Sequence, residues 1–393
     1  MRILFIQPRI SYYNGGGEKY PMESILKIAT ANKNYEIIVL TTRDTSLPST
    51  SIYRDFKKKA KETSNLNLIE LPVPDKFKYI YKIQAGESRA RWDIESAYFS
   101  NLAMGYLQDN NLNPDIIWSY YILDFPHKFA GAQTVLNLLG YPRKASDYRE
   151  ALLAQYDHIV PINQNILDHW NDWLEFKITE FDFLPLGVTF TDNPVETTLV
   201  PTHSKKDLEI LYVGRLIERK GVLDLCSTVV SLHREGISVG LTIVGDGPCK
   251  DAIVSLIAAE SMEKIINLEG YQEDVIKYYR SADVCVFPSY AGEGQMSAVL
   301  EAMYYNGNVI TTSGNGNEDY IDHGKNGFLV QQGDFEELGT LLEDYVEGKV
   351  GDTSRIANLA KKTVQGNTWE RYNINFVNLC RKFCGNTPVE TKD

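Results

Sequence analysis

The sequence predicts an α/β fold built as two doubly wound parallel-sheet domains, and three observations carry that expectation. A chain of 393 residues exceeds one core of ordinary size and suggests two domains of roughly 150–200 residues. From Glu209 onward, short apolar runs (EILYV, LTIVG, VCVFP) alternate with helical segments of about a dozen residues. The first apolar run, RILFIQP, is followed by a helix pattern and a second run, YEIIVLTT, which is a βαβ opening with a parallel strand pair.

In the amino half, a polar loop with Gly15, Gly16, Gly17 and Glu18 separates the first strand from a helix over Pro21–Thr30. Further strands are expected at Leu66–Leu71, Ile116–Tyr121, Tyr156–Pro161 and Asp182–Pro185. Turn formers without periodicity fill the stretch after Gly187, which reads as a linker over 188–207 between an amino-terminal domain (1–187) and a second domain (208–366). The second domain reads as strands at Glu209–Val213, Val239–Val244, Ile265–Leu268, Val284–Phe287 and Asn308–Thr311. Helices follow from Gly221 and Cys249, at Glu273–Ser281 and at Ser297–Tyr305, and GFLV closes the pattern. The final stretch, TWERYNINFVNLCRKF within 367–385, is an amphipathic helix; its pattern fits a cap on the second domain as well as a return to the first.

Composition is that of an ordinary globular protein, 43% hydrophobic and 23% charged. The net charge of −12 sits mostly in the second half: residues 1–186 carry 21 basic and 22 acidic side chains, the rest 19 and 30. An acidic chain of this kind is a poor general nucleic-acid binder. Five cysteines without metal-ligand spacing suit reduced thiols and a cytoplasmic setting. The chain opens on a strand pattern and holds no run of roughly 18–20 apolar residues, so neither a signal peptide nor a membrane span is expected. Lys57, Lys58, Lys59 and Lys61, then Lys76, Lys78 and Lys82 among Phe77, Tyr79 and Tyr81, could rest peripherally on an anionic membrane; a solvated helix face is the commoner meaning of such a run.

The chemistry concentrates at strand ends of the second half. Arg215 and Lys220 in VGRLIERKG follow a strand, where fixed cations can hold a phosphate group: arginine bidentately, lysine as a point charge. Glu293 and Glu301 flank the start of the Ser297 helix, in a loop and early in the helix itself. Carboxylates accept sugar hydroxyls, and helix-start amides favour anions, so this edge suits a ligand with both. Against this stands the bland reading of surface cations and two solvated glutamates. GDGP (Gly245–Pro248) reads as a structural strand-to-helix turn, and three consecutive glycines let backbone approach a ligand closely. No GxGxxG or Walker sequence occurs, and no Asp-x-Asp that would hold a divalent metal.

Taken in order, LEILYVGRLIERKGVLDL, LTIVGDGPCKDAI, IINLEGYQEDVIKYYRSADVCVFPS, GEGQMSAVLEAMYYNGNVITT and NEDYIDHGKNGFLV resemble the donor half of a retaining, nucleotide-sugar-dependent glycosyltransferase of family 4, glycosyl transferases group 1. The resemblance runs from Leu208 to Asp334 and is patchier before it. It implies the GT-B architecture, two facing Rossmann-like domains, with the terminal helix crossing back to the first. It implies transfer of a hexose from a UDP- or GDP-sugar to a sugar, lipid-linked or other acceptor, with no cofactor and no metal. By the same resemblance Arg215, Lys220 and Glu293 are the catalytic set. The donor is bound by Gly15, Gly16, Gly17, Tyr271, Gly294, Gln295, Met296, Ser297 and Glu301, the last on the ribose. Gln295 and Met296 depart from the Phe-Gly or Leu-Pro of many relatives, and Trp118-Ser119-Tyr120-Tyr121 stands where they carry His-x-His, leaving Tyr120 or His127 as sugar contacts. A non-catalytic nucleotide-sugar-binding homologue, an epimerase or a phosphorylase of the same architecture are the alternatives; no lysine makes a case for pyridoxal phosphate.

Overall fold

The computed structural model describes residues 1–8, 10–11, 16–43, 49–72, 88–120, 131–142, 153, 155–191, 208–290 and 294–386, with backbone alone at 16–17 and 88–97. The chain forms two compact units, Met1–Gly187 with Trp369–Asp393, and Val188–Thr368.

The first unit is a six-stranded parallel sheet in the order β3-β2-β1-β4-β5-β6, with β1 Arg2–Ile6, β2 Glu36–Arg43, β3 Leu66–Pro72, β4 Ile116–Ser119, β5 Gln133–Leu138 and β6 His158–Pro161. Strand alternation divides its core. Ile3, Phe5, Ile37, Val39 and Trp118 face α1 (Gly16–Ala31), α2 (Ser51–Glu62) and the terminal helix, whereas Leu4, Ile6, Ile38, Leu40 and Ile117 face Phe99, Ala103 and Leu107 of α3 (Ser88–Asp109). Beside them α4 (Gln164–Trp173) buries Ile166, Leu167 and Trp170 against Leu136 and Leu138.

Two expectations for this unit are corrected. The strand expected at Asp182–Pro185 is irregular chain beside β6, tied to it by an isolated bridge at Phe181 and by the Asp182 and Leu184 amides on the Ile159 and Pro161 carbonyls; Leu184 is buried while Phe181 and Phe183 face solvent, and Pro185, which has no amide hydrogen to give, ends the pairing. The sixth strand is β5, whose apolar run is interrupted by a buried Asn137 and so shows no clean period. The first helix starts at Gly16 rather than Pro21, which makes Gly16 and Gly17 helix-start residues. Glycine costs least there, because the first turn has few intrahelical bonds to lose.

The second unit is a parallel sheet in the order β12-β11-β10-β7-β8-β9: β7 Leu208–Val213, β8 Val239–Val244, β9 Ile266–Gly270, β10 Val284–Phe287, β11 Val309–Thr312 and β12 Phe328–Val330. One face packs on α5 (Val222–Arg234), α6 (Lys250–Glu260) and α9 (Phe335–Val346) through Ile210, Tyr212, Leu241, Ile243 and Val286. The other packs on α7 (Ile276–Ser281), α8 (Ser297–Tyr305) and α10 (Thr353–Val364) through Leu211, Val244, Cys285 and Phe287. The connections leave β7 in both directions, so the order reverses between β7 and β10, the place where open α/β sheets take ligands.

The terminal helix, α11 (Trp369–Phe383), packs in the core of the first unit: Phe376 lies with its ring centroid 4.7 Å from that of Trp118, and Trp369, Tyr372 and Leu379 are buried around it. Gly187 stands against this helix, where a Cβ would fall 2.6 Å from the Trp369 ring. Among the described residues no helix is long and apolar enough to cross a membrane.

Candidate functional site

The residues leaving β7 are fixed by the loop leaving β8. The Gly214 amide bonds the Val244 carbonyl and the Leu216 amide that of Asp246, while the Tyr212 hydroxyl donates to the Arg215 carbonyl at 2.9 Å. The two loops touch so closely that a Cβ on Gly245 would sit 1.8 Å from the Gly214 oxygen, which is why glycine is required in GDGP. Leu216 is buried beneath, and Arg215 is exposed at the strand end.

A single 3₁₀ turn, Glu218–Lys220, then leads to Gly221 in the left-handed region at φ 64°. A Cβ on Gly221 would fall 2.2 Å from the Pro288 carbonyl, and the Tyr290 amide bonds the Arg219 carbonyl at 2.8 Å. The turn therefore lies directly on the exit of β10. Half-buried there, the Lys220 ammonium is 3.6 Å from the Met296 sulfur, which the Ser289 hydroxyl also approaches to 3.6 Å. Burial, with Arg219 and Arg215 adding like charge, pulls the Lys220 pKa down to about 7.

The exit of β10 is held from behind by groups that the sequence reading did not single out. The Ser289 carbonyl accepts from Thr312 Oγ1 and from Asn315 Nδ2 at 3.0 Å; Thr311 Oγ1 donates to the Phe287 carbonyl, and Asn317 Nδ2 reaches both Thr311 Oγ1 and the Thr312 carbonyl at 3.0 Å. All four of these side chains are buried. The polar run TTSGNGN directly after a buried strand was the available signal.

Beyond that exit, Met296 is the extended residue that precedes α8 and its carbonyl takes the Val299 amide at 3.0 Å; no side chain caps the start of the helix, whose first amides are oriented along its axis. Gly294 and Gln295 lead into it. Glu301 lies on the second turn of α8, one of its carboxylate oxygens accepting from the buried Tyr279 hydroxyl at 3.1 Å. That contact, after burial, raises the Tyr279 pKa well above its ordinary value. Tyr271, just past β9, exposes 68% of its surface beside Gly270, whose carbonyl receives the Gly245 amide.

The structure thus brings Lys220 and Met296 together and sets Ser297 and Glu301 on one helix beside them. Gly15, His127 and Glu293 lie outside the described residues. Tyr120 differs from its expected role: its hydroxyl is buried 2.8 Å from Ser24 Oγ, within the first unit's core, because the β4 alternation turns it onto the α1 face with Phe5 and Trp118.

Residues 199–363 match the family model of glycosyl transferases group 1. A putative colanic acid biosynthesis glycosyltransferase of Escherichia coli is 26% identical over 183 residues, 45% of this chain and 44% of its own length. The lipopolysaccharide core biosynthesis glycosyltransferase LpsE of Rhizobium meliloti is 25% identical over 287 residues, 70% of this chain and 79% of its own. The match to the first of these therefore spans less than half of that relative. The solved structure of Anabaena Alr3699/HepE in complex with UDP superposes with a TM-score of 0.70 at 15% identity, over 96% of this chain and 98% of that one. The likeness establishes a GT-B fold of two Rossmann-like domains.

Proposed function

We propose that the chain is a retaining, family 4 glycosyltransferase that moves a hexose from a nucleoside-diphosphate sugar to an acceptor hydroxyl in the assembly of a polysaccharide or other glycoconjugate. The observation that carries this is the meeting of Lys220, from the β7 exit, with the start of α8 at the β7–β10 switch point. Charge that develops on a departing diphosphate would find there the half-buried Lys220, which the bound anion keeps protonated, and the positive end of a helix, with Arg215 alongside. No divalent metal is needed for that stabilisation. Glu301, fixed by Tyr279, would accept the ribose hydroxyls, and Tyr271 would offer its ring to the nucleobase. The names of the relatives favour polysaccharide or lipopolysaccharide synthesis, and the UDP complex favours a UDP-sugar over a GDP-sugar.

In the reaction the bond from the anomeric carbon to the diphosphate oxygen breaks, and the acceptor oxygen bonds to that carbon on the same face. The acceptor proton passes to the departing phosphate, which Arg215 and Lys220 hold in place. Glu293 orients the hexose. Titration with UDP and GDP identifies the nucleotide, and an NMR time course of the first product from the matching α-linked donor tests the stereochemistry: an α-linked product is expected, and a β-linked one would refute retention. A protein that binds nucleotide sugar but neither transfers nor hydrolyses it would be a binding homologue.

A further inference from the structure

Lys220 carries a long, flexible side chain, and the second unit fixes it at both ends. Its backbone sits in the 3₁₀ turn, with its amide on the Ile217 carbonyl at 2.9 Å and the next residue, Gly221, packed on the Pro288 carbonyl. Its ammonium lies 3.6 Å from the Met296 sulfur. That sulfur is itself held. Met296 is 6% exposed and rooted in the apolar cluster of Phe287, Val299 and Leu300, and the Ser289 hydroxyl approaches the sulfur to 3.6 Å. Ser289 is buried in turn, its carbonyl accepting from Thr312 and Asn315.

The chemistry of a thioether decides what this contact can do. It has no proton to donate and accepts only weakly, so it offers nothing to the oxygens of a diphosphate, which are acceptors as well. An ammonium, with three donors and no acceptor, is the kind of group it can hold. A carboxylate in the same place would form a charge-assisted bond to the lysine and would compete with an incoming anion. The thioether orders the ammonium and gives it up at little cost.

We infer that Met296 is a positioning residue for Lys220: its sulfur, steadied by the Ser289 hydroxyl, holds the ammonium at the start of α8 ready for a phosphate oxygen, and the Met296 side chain acts on the anion only through the lysine. Lysine has much rotamer freedom to lose when it grips a ligand, and a side chain ordered beforehand loses less of it on binding. The inference deepens the glycosyl-transfer reading and rests on it for the identity of the anion; the contact between the two side chains stands apart from that reading.

A double-mutant cycle on the full-length protein, with UDP and GDP titrated at pH 7, tests it. Met296→Leu nearly conserves volume and removes the sulfur. Alone it is expected to weaken nucleotide affinity about three- to tenfold, the scale of ordering one long side chain. In the Lys220→Ala background the same change should leave the affinity as it is. An equal loss in both backgrounds means that Met296 shapes the pocket or touches the nucleotide, and no loss in either means that the lysine needs no such support; each overturns the inference. If Met296→Leu does not fold, Ser289→Ala, which withdraws the hydroxyl from the sulfur, runs the same cycle with the same outcomes. Acetylation of Lys220 by an N-hydroxysuccinimide ester, measured by mass spectrometry against the exposed Lys250, reads the side chain without any nucleotide. The amine released by Met296→Leu should react about threefold faster, and an equal or slower rate overturns the inference. A wild type that binds neither UDP nor GDP refutes the function proposed for the second unit, and the labelling then decides the role of Met296.

Discussion

Binding of a nucleoside diphosphate should draw a proton onto Lys220. In the free protein, burial and two neighbouring arginines hold its pKa at about 7. At pH 8 only about one-tenth of the lysine is then protonated. A bound diphosphate favours the charged form, so each binding event should take up close to one proton at that pH. The same linkage weakens apparent affinity with rising pH, about fivefold between pH 7 and 8 and about tenfold more by pH 9. For stability the sign is opposite: a lysine that ordinarily titrates near 10.5 binds its proton more readily unfolded than folded, so stability rises with pH from about 7 to 10.5. Calorimetric titration with UDP at pH 8 in phosphate and in Tris, whose ionisation enthalpies differ, reads the proton count directly. Lys220→Arg keeps a permanent charge and should abolish both the uptake and the pH slope. A zero proton count in the wild type, with an affinity flat from pH 7 to 9, would refute the reasoning.

Other expectations rest on different contacts. Gly245→Ala forces a Cβ into the Gly214 carbonyl and should cost about 3 kcal/mol in chemical denaturation, with nucleotide affinity falling as the Arg215 loop shifts. Glu301→Ala should raise the donor KM more than it lowers kcat, because a ribose contact is similar in ground and transition states; an unchanged affinity for the free nucleoside diphosphate would remove Glu301 from that role. Phe376→Ala leaves a cavity against Trp118 and Phe5 and should destabilise the first unit by about 3–5 kcal/mol, read by urea unfolding, with nucleotide affinity retained by the folded protein. Activity should persist in excess EDTA, and loss restored only by Mn²⁺ would count against a purely cationic diphosphate site.

Local sequence determined the elements of the second unit nearly to the residue: Val239–Val244, Val284–Phe287 and Ser297–Tyr305 are legible because short buried strands and helices there keep unbroken periods between glycine-bearing turns. It also placed Arg215 and Lys220 after a strand and Glu301 early in a helix, since residue type and position along a βα unit are local properties. What it could not give was contact. Lys220 and Met296 are 76 residues apart and meet only because β10, rather than β8 alone, lies beside β7. The burial that, with Arg219 and Arg215, depresses the Lys220 pKa comes from the same tertiary arrangement, as does the support of Ser289 by Thr312 of the next strand and Asn315 of the loop after it. In the first unit the same limit hid the inward turn of Tyr120 onto Ser24. A side chain's face depends on strand register, and its hydrogen-bond partner depends on everything packed around it. Strand order is fixed by the burial of both sheet faces over the whole domain, so it is the tertiary structure that decides which loop ends become a site.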